Sequence, residues 1–125
     1  MSDHITVIFC EPGKKAVVKE IDSSLESMQK VVEGYIEACY VLPDAVIICN
    51  EEGKINNMIP NRAVYDEEGK RVDVIYGPFF ICGIDEGEMI SLPEDLQEKY
   101  LKQFELPELI YVREGKVHTV QYDPT

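Results

Sequence analysis

Residues 45–49, AVIIC, are apolar at every position and do not alternate with polar ones. A strand with one wet face alternates, whereas a short continuous run rich in β-branched residues suits a strand covered on both faces in the middle of a sheet. The rest of the chain must therefore supply neighbouring strands and a cover for each face.

Strand signals are plentiful. Residues 4–10 form a β-branched and aromatic run, Glu11-Pro12-Gly13-Lys14 are turn residues, and residues 16–21 form a second run, so the two read as an antiparallel hairpin. Residues 35–41 read as a third strand, with Tyr35, Glu37 and Cys39 on one face and Ile36, Ala38 and Tyr40 on the other. Residues 72–76 and 79–83 flank Gly77-Pro78 as two more, and the alternation of Val72, Val74 and Tyr76 with Asp73 implies a wet face. The C-terminal residues 105–125 read as a hairpin around Glu114-Gly115.

Two helices can cover the sheet. The first opens at Ser23, with Glu26 at capping-box spacing and Leu25, Met28, Val31, Val32 and Tyr35 recurring at helical intervals, and Gly34 is expected to close it. The second opens at Ser91 with Glu94 and carries the stripe Leu96, Tyr100, Leu101 and Phe104. Strand runs broken by two helices give an α+β fold with a mostly antiparallel sheet, two helices and a C-terminal β-hairpin. With 125 residues, 45% of them apolar, one domain is expected. Its bounds are placed at 1–104, with the hairpin of 105–125 packed on it as an extension.

The stretch 50–62, NEEGKINNMIPNR, looks most like a site. A phosphate loop needs a Gly five residues before Gly53 and a hydroxyl after Lys54; Ile48 and Ile55 stand there instead. The letters recur as DEEGK at 66–70 and EGK at 114–116, between apolar runs, which is how hairpin turns read. The remaining NNMIPNR keeps two readings open. Asn61 and Arg62 either fix the loop by bonding its backbone and pairing with nearby acids, or present a planar fork to a carboxylate or phosphate.

Other chemistry finds little material. His4 and His118 are the only histidines, no acidic cluster has the alternating placement of an oxygen-ligand loop, and the four cysteines, each beside an apolar run, read as buried free thiols. No catalytic set, metal set or cofactor loop is expected. The net charge of -12 argues against direct nucleic-acid binding and suits either solubility or a basic partner. The N-terminus lacks a signal-peptide pattern and no apolar run is long enough to span a bilayer, so a protein of the bacterial cytoplasm, away from the membrane, is expected.

The succession EPGKKAVVKEI, a helix, EGYIEACYV, AVIICNEEGKINNMIPNRA, GPFFICGID and a late SL before EKYLKQF resembles a family of phages, plasmids and other mobile elements, the domain of unknown function 3846. The likeness runs from Ile5 to Phe104, and its marks are residues 50–53 and Asn61-Arg62. Glu33 departs from it, standing where the resemblance leads one to expect the first of two glycines. The resemblance implies an accessory protein without assigned catalysis. The expected function is a non-catalytic binding protein that holds a protein partner or small ligand through Tyr35, Glu37, Asn50, Asn61 and Arg62. The alternative is an acidic DNA mimic or other counter-defence inhibitor of a host nucleic-acid-binding enzyme.

Overall fold

The computed structural model describes residues 4–125. In chain order these form β1 (His4–Cys10), β2 (Val17–Asp22), α1 (Leu25–Val32), β3 (Ile36–Cys39), β4 (Val46–Asn50), β5 (Pro60–Tyr65) and β6 (Arg71–Tyr76). There follow β7 (Phe79–Asp85), β8 (Glu88–Ile90), α2 (Glu94–Gln103), β9 (Glu108–Arg113) and β10 (Lys116–Gln121). The fold is α+β, its sheets antiparallel, with two helices and the C-terminal hairpin.

The main sheet has the order β2-β1-β7-β4-β3, with β8 paired to the far end of β7. Strand β4 lies inside it between β7 and β3 and is buried along its whole length. Its side chains divide by parity. Val46 and Ile48 pack with Val7, Phe80, Met28 and Val32 under α1, while Ile47 and Cys49 pack with Ile8, Phe79, Val64, Ile75 and Tyr100. The second face is covered by α2 and by the β5–β6 hairpin, so the unalternating run of residues 45–49 meets apolar cover on both sides. At roughly 1.5–3 kcal/mol for each fully buried aliphatic or Phe side chain, this two-sided burial is the main source of stability.

Several boundaries differ from expectation. Ser24, not Ser23, caps α1, its hydroxyl oxygen accepting from the Ser27 N–H. The helix closes on Glu33, which takes the left-handed conformation (φ 64), rather than on Gly34. Gly34 is needed for space: a Cβ there would lie 2.5 Å from Asn50 Nδ2. Helix α2 begins after Pro93 with no side-chain cap, because Ser91 is occupied elsewhere, its Oγ accepting from the Thr6 N–H. Strand β3 stops at Cys39, two residues early.

The larger correction concerns residues 51–57. Strands β4 and β5 do not pair; β4 belongs to the main sheet and β5 to a separate ribbon with β6, so these residues carry the chain from one layer to the next. Gly69 and Gly115 take positive φ in true hairpin turns, as their letters predict, but Gly53 does not. It is small because the turn runs over β6, where a Cβ would sit 2.9 Å from Tyr76 O. Likewise β6 and β7, on either side of Gly77-Pro78, fall in different sheets.

Candidate functional site

The five residues singled out in the sequence divide between two places. Asn61 and Arg62 lie on β5 at 1% and 0% exposure, facing inward. Asn61 Nδ2 donates to Cys10 O and Gly77 O, both at 2.9 Å, joining β1 to the β6–β7 connection. The Arg62 guanidinium donates from Nε and Nη2 to Phe104 O (3.2 and 3.1 Å), from Nη2 to Lys14 O (2.8 Å) and from Nη1 to Asn61 Oδ1 (2.7 Å). One side chain thus ties the end of α2, the β1–β2 turn and β5 together. Burial pushes its affinity for a proton down, while the neighbouring Cys10 and Glu108 act the other way. Glu108 on β9 is itself pushed up, first by burial, and its Oε1 accepts from the Ala63 N–H. The bonds of Asn61 and Arg62 run to backbone carbonyls of other elements and to each other, rather than to the backbone of residues 51–59 or to a carboxylate.

Asn50 closes β4, Glu37 lies on the neighbouring β3 and Tyr35 stands just before that strand. Asn50 is buried, its Nδ2 donating to Val32 O (3.1 Å) and its Oδ1 accepting from the Glu52 N–H (2.8 Å), so it fastens the end of α1 to the first residues of the turn. Glu37 is exposed on β3 opposite Cys49. Tyr35, 68% exposed, precedes β3 and accepts at its carbonyl from the Glu51 N–H. Its side chain borders a shallow depression along α1 with Glu26, Lys30 and Glu33.

Between β3, the 51–57 turn and β6 lies a cleft of about 260 Å³. Four carboxylates line it, Glu37, Glu51, Glu52 and Asp73, with Lys54 the cation in the lining and Asn50, Cys49 and Tyr76 completing it. Lys54 Nζ lies 3.7 Å from Asp73 Oδ1 and 5.6 Å from the centre of the Tyr76 ring. The thiols here are not poised as nucleophiles. Cys49, donating to Glu37 O, is pushed up to about 12 by burial first and by nearby negative charge second. Cys39 donates to Asp73 Oδ2 at 3.7 Å and is raised by burial and by that carboxylate. Nucleophilic or metal-binding cysteine works as thiolate, which both environments disfavour.

His118 lies away from the cleft, stacked on Tyr111 in the terminal hairpin at 5.4 Å. Among the described residues no group of three or more His, Cys, Asp or Glu is arranged to hold a metal ion. Nor is any of their helices long and apolar enough to cross a membrane. The sequence reading missed Lys54, Asp73 and Tyr76. The available signal was Asp73, but the faces are the reverse of those expected: Asp73 shares its side of β6 with the buried Ile75, whereas Val72 is 45% exposed.

Fold and cleft together define a small α+β domain with an acidic recess at one edge of an antiparallel sheet. Residues 5–105 match the model of the domain of unknown function (DUF3846), and the chain belongs to that family. The matched segment ends before β9, so the terminal hairpin lies outside it. No curated protein and no solved structure matches.

Proposed function

We propose that this chain is a non-catalytic accessory protein, of phage or mobile-element type, that binds a positively charged partner or small ligand at the acidic cleft. The carrying observation is the recess lined by Glu37, Glu51, Glu52 and Asp73 against the lone Lys54. Of the residues marked out in the sequence, Glu37 meets the ligand and Asn50 shapes the turn, Tyr35 anchors that turn through its carbonyl while its side chain lines the separate depression along α1, and Asn61 and Arg62 hold the scaffold. The thiols stay protonated, and the two histidines, on β1 and β10, belong to strands outside the lining, which supports binding rather than catalysis.

The test is titration with hexalysine at about 150 mM salt, where long-range attraction is largely screened. The variant E37Q/E51Q/E52Q, altered at exposed positions, is expected to bind at least about tenfold more weakly, or about 1.4 kcal/mol, with an unchanged fold. A control, E67Q/E68Q in the 66–70 turn, is expected to bind as the parent does. Equal loss in both would sink the cleft reading in favour of bulk charge.

A second reading, the DNA mimic and counter-defence inhibitor, rests on the net charge of -12. Ion pairs engage Glu11, Glu26, Asp44, Asp73 and Asp123, and 24 acidic residues stand against 12 basic ones, so a large excess of negative charge remains. It requires stoichiometric inhibition of a restriction endonuclease, relieved by excess duplex DNA. Inhibition that duplex does not relieve counts against it.

A further inference from the structure

Strand β3 is the last strand of the main sheet on its side, and its free edge runs beside the acidic cleft. The register fixes which of its groups are available. Ile36 stands opposite Asn50, and the Glu51 N–H donates to Tyr35 O at 2.9 Å, so Ile36–Asn50 is a non-hydrogen-bonded pair and Glu37 and Cys39 direct their backbone groups at β4. The Cys49 thiol reaching Glu37 O from the β4 side agrees with this. The N–H and C=O of Ile36 and Ala38 consequently point outward, and no backbone partner meets them among the described residues. Tyr35 and Tyr40, each 68% exposed, stand at the two ends of this edge.

We propose that an extended, basic peptide segment of a partner protein adds to β3 as a further antiparallel strand, a deepening that rests on the acidic-cleft reading above. Strand addition of this kind takes affinity from main-chain bonds and specificity from alternate side chains. Here the added residues facing Ile36 and Ala38 exchange backbone bonds with them. The residue facing Glu37 forms a non-hydrogen-bonded pair, the arrangement that brings opposed side chains closest. A lysine or arginine there lies over Glu37, and its neighbours two residues along reach towards Glu51, Glu52 and Asp73. A second copy of the chain is a poor occupant because it brings a further -12 of charge and its own Glu37 to the same edge.

The experiment uses the full chain and a synthetic heptapeptide alternating lysine and valine, in three forms: unmodified, N-methylated at the valines, and N-methylated at the lysines. In the proposed register the valine N–H groups point at β3 and the lysine N–H groups point away. Valine methylation is therefore expected to weaken binding at least about tenfold and lysine methylation by no more than about threefold, since losing a set of buried backbone bonds is worth 1.4 kcal/mol or more. At saturation the Ala38 amide should gain protection from hydrogen exchange. If both methylated peptides bind like the parent, or the Ala38 amide exchanges as freely with peptide as without, strand addition is overturned. The acidic-cleft reading then still stands if E37Q/E51Q/E52Q weakens the parent peptide. Failure of all three peptides to bind overturns both, and Ala38 protection that grows with protein concentration alone gives the edge to a second copy and overturns the peptide.

Discussion

Arg62 carries a full positive charge into the interior, and its four hydrogen bonds all end on neutral oxygens of Phe104, Lys14 and Asn61. Removing it leaves those carbonyls unsatisfied in a cavity, so R62A is expected to lose about 3–5 kcal/mol in urea unfolding. R62K should lose a smaller but clear amount, because an ammonium cannot reproduce the fork. A contact residue would behave oppositely, keeping its unfolding midpoint while binding failed. Asn61 and Arg62 were legible as an unusual polar pair but not as a buried one. What encloses them, the end of α2 and β9, arrives more than forty residues later, and polar residues in a loop ordinarily face water. Glu33 shows the reverse case, where the departure from the expected double glycine could be read but not its structural meaning. A non-glycine residue in the left-handed conformation costs about 1–2 kcal/mol, partly offset by the larger entropy a glycine loses. E33G should therefore raise stability by about 0.5–1 kcal/mol in the same assay. G34A should lower it, since its Cβ displaces Asn50 from its bonds to Val32 and Glu52.

Helix α2 lacks a side-chain cap and is instead clamped from the side by Asp44, in the β3–β4 connection. The Tyr100 hydroxyl donates to Asp44 Oδ1, and Lys99 Nζ lies 2.9 Å from Oδ2. Lys99 first and Tyr100 second hold the Asp44 carboxyl below its ordinary value of 3.8, while burial and the same carboxylate push the Tyr100 hydroxyl up. Because the folded value is the lower, the stabilisation is present in full above the unfolded value and fades as pH falls through the folded one. Stability of the parent should thus drop on acidification below about pH 4, and D44N should flatten that limb of the curve in thermal melts between about pH 2 and 5. Y100F, which removes one bond to a charged acceptor, should cost about 1.5–3 kcal/mol at neutral pH. Elements with local signals were the legible ones: the β1–β2 and β9–β10 hairpins, β4 and both helices follow from turn letters and periodicity. The β4–β5 connection was not, because its letters are those of a hairpin turn and only the partners of the flanking strands distinguish the two. Those partners, β7 for β4 and β6 for β5, are a property of the whole sheet arrangement.

Across the whole molecule 24 acidic residues face 12 basic ones, and the ion pairs that form join mostly exposed side chains, each worth about 0–1 kcal/mol. Repulsion among the excess carboxylates therefore outweighs the surface pairs, and salt screens both. Raising NaCl from about 10 to about 150 mM, which shortens the screening length from roughly 30 to 8 Å, is expected to raise the melting temperature rather than lower it. The cleft concentrates this repulsion, since Glu51 and Glu52 are adjacent in sequence and share the recess with Glu37 and Asp73 while Lys54 is already engaged by Asp73. If those acids are held together to receive a cationic partner, the folded chain bears their strain when the partner is away, as binding sites commonly do. E37Q/E51Q/E52Q should then melt above the parent at low salt, with the gap closing as salt rises. An equal number of changes in the outlying turns, E67Q/E68Q/E86Q, should gain less. Equal gains in the two triple variants would mean that the cleft acids feel only the overall charge, and would remove the electrostatic ground for assigning the recess a cationic partner.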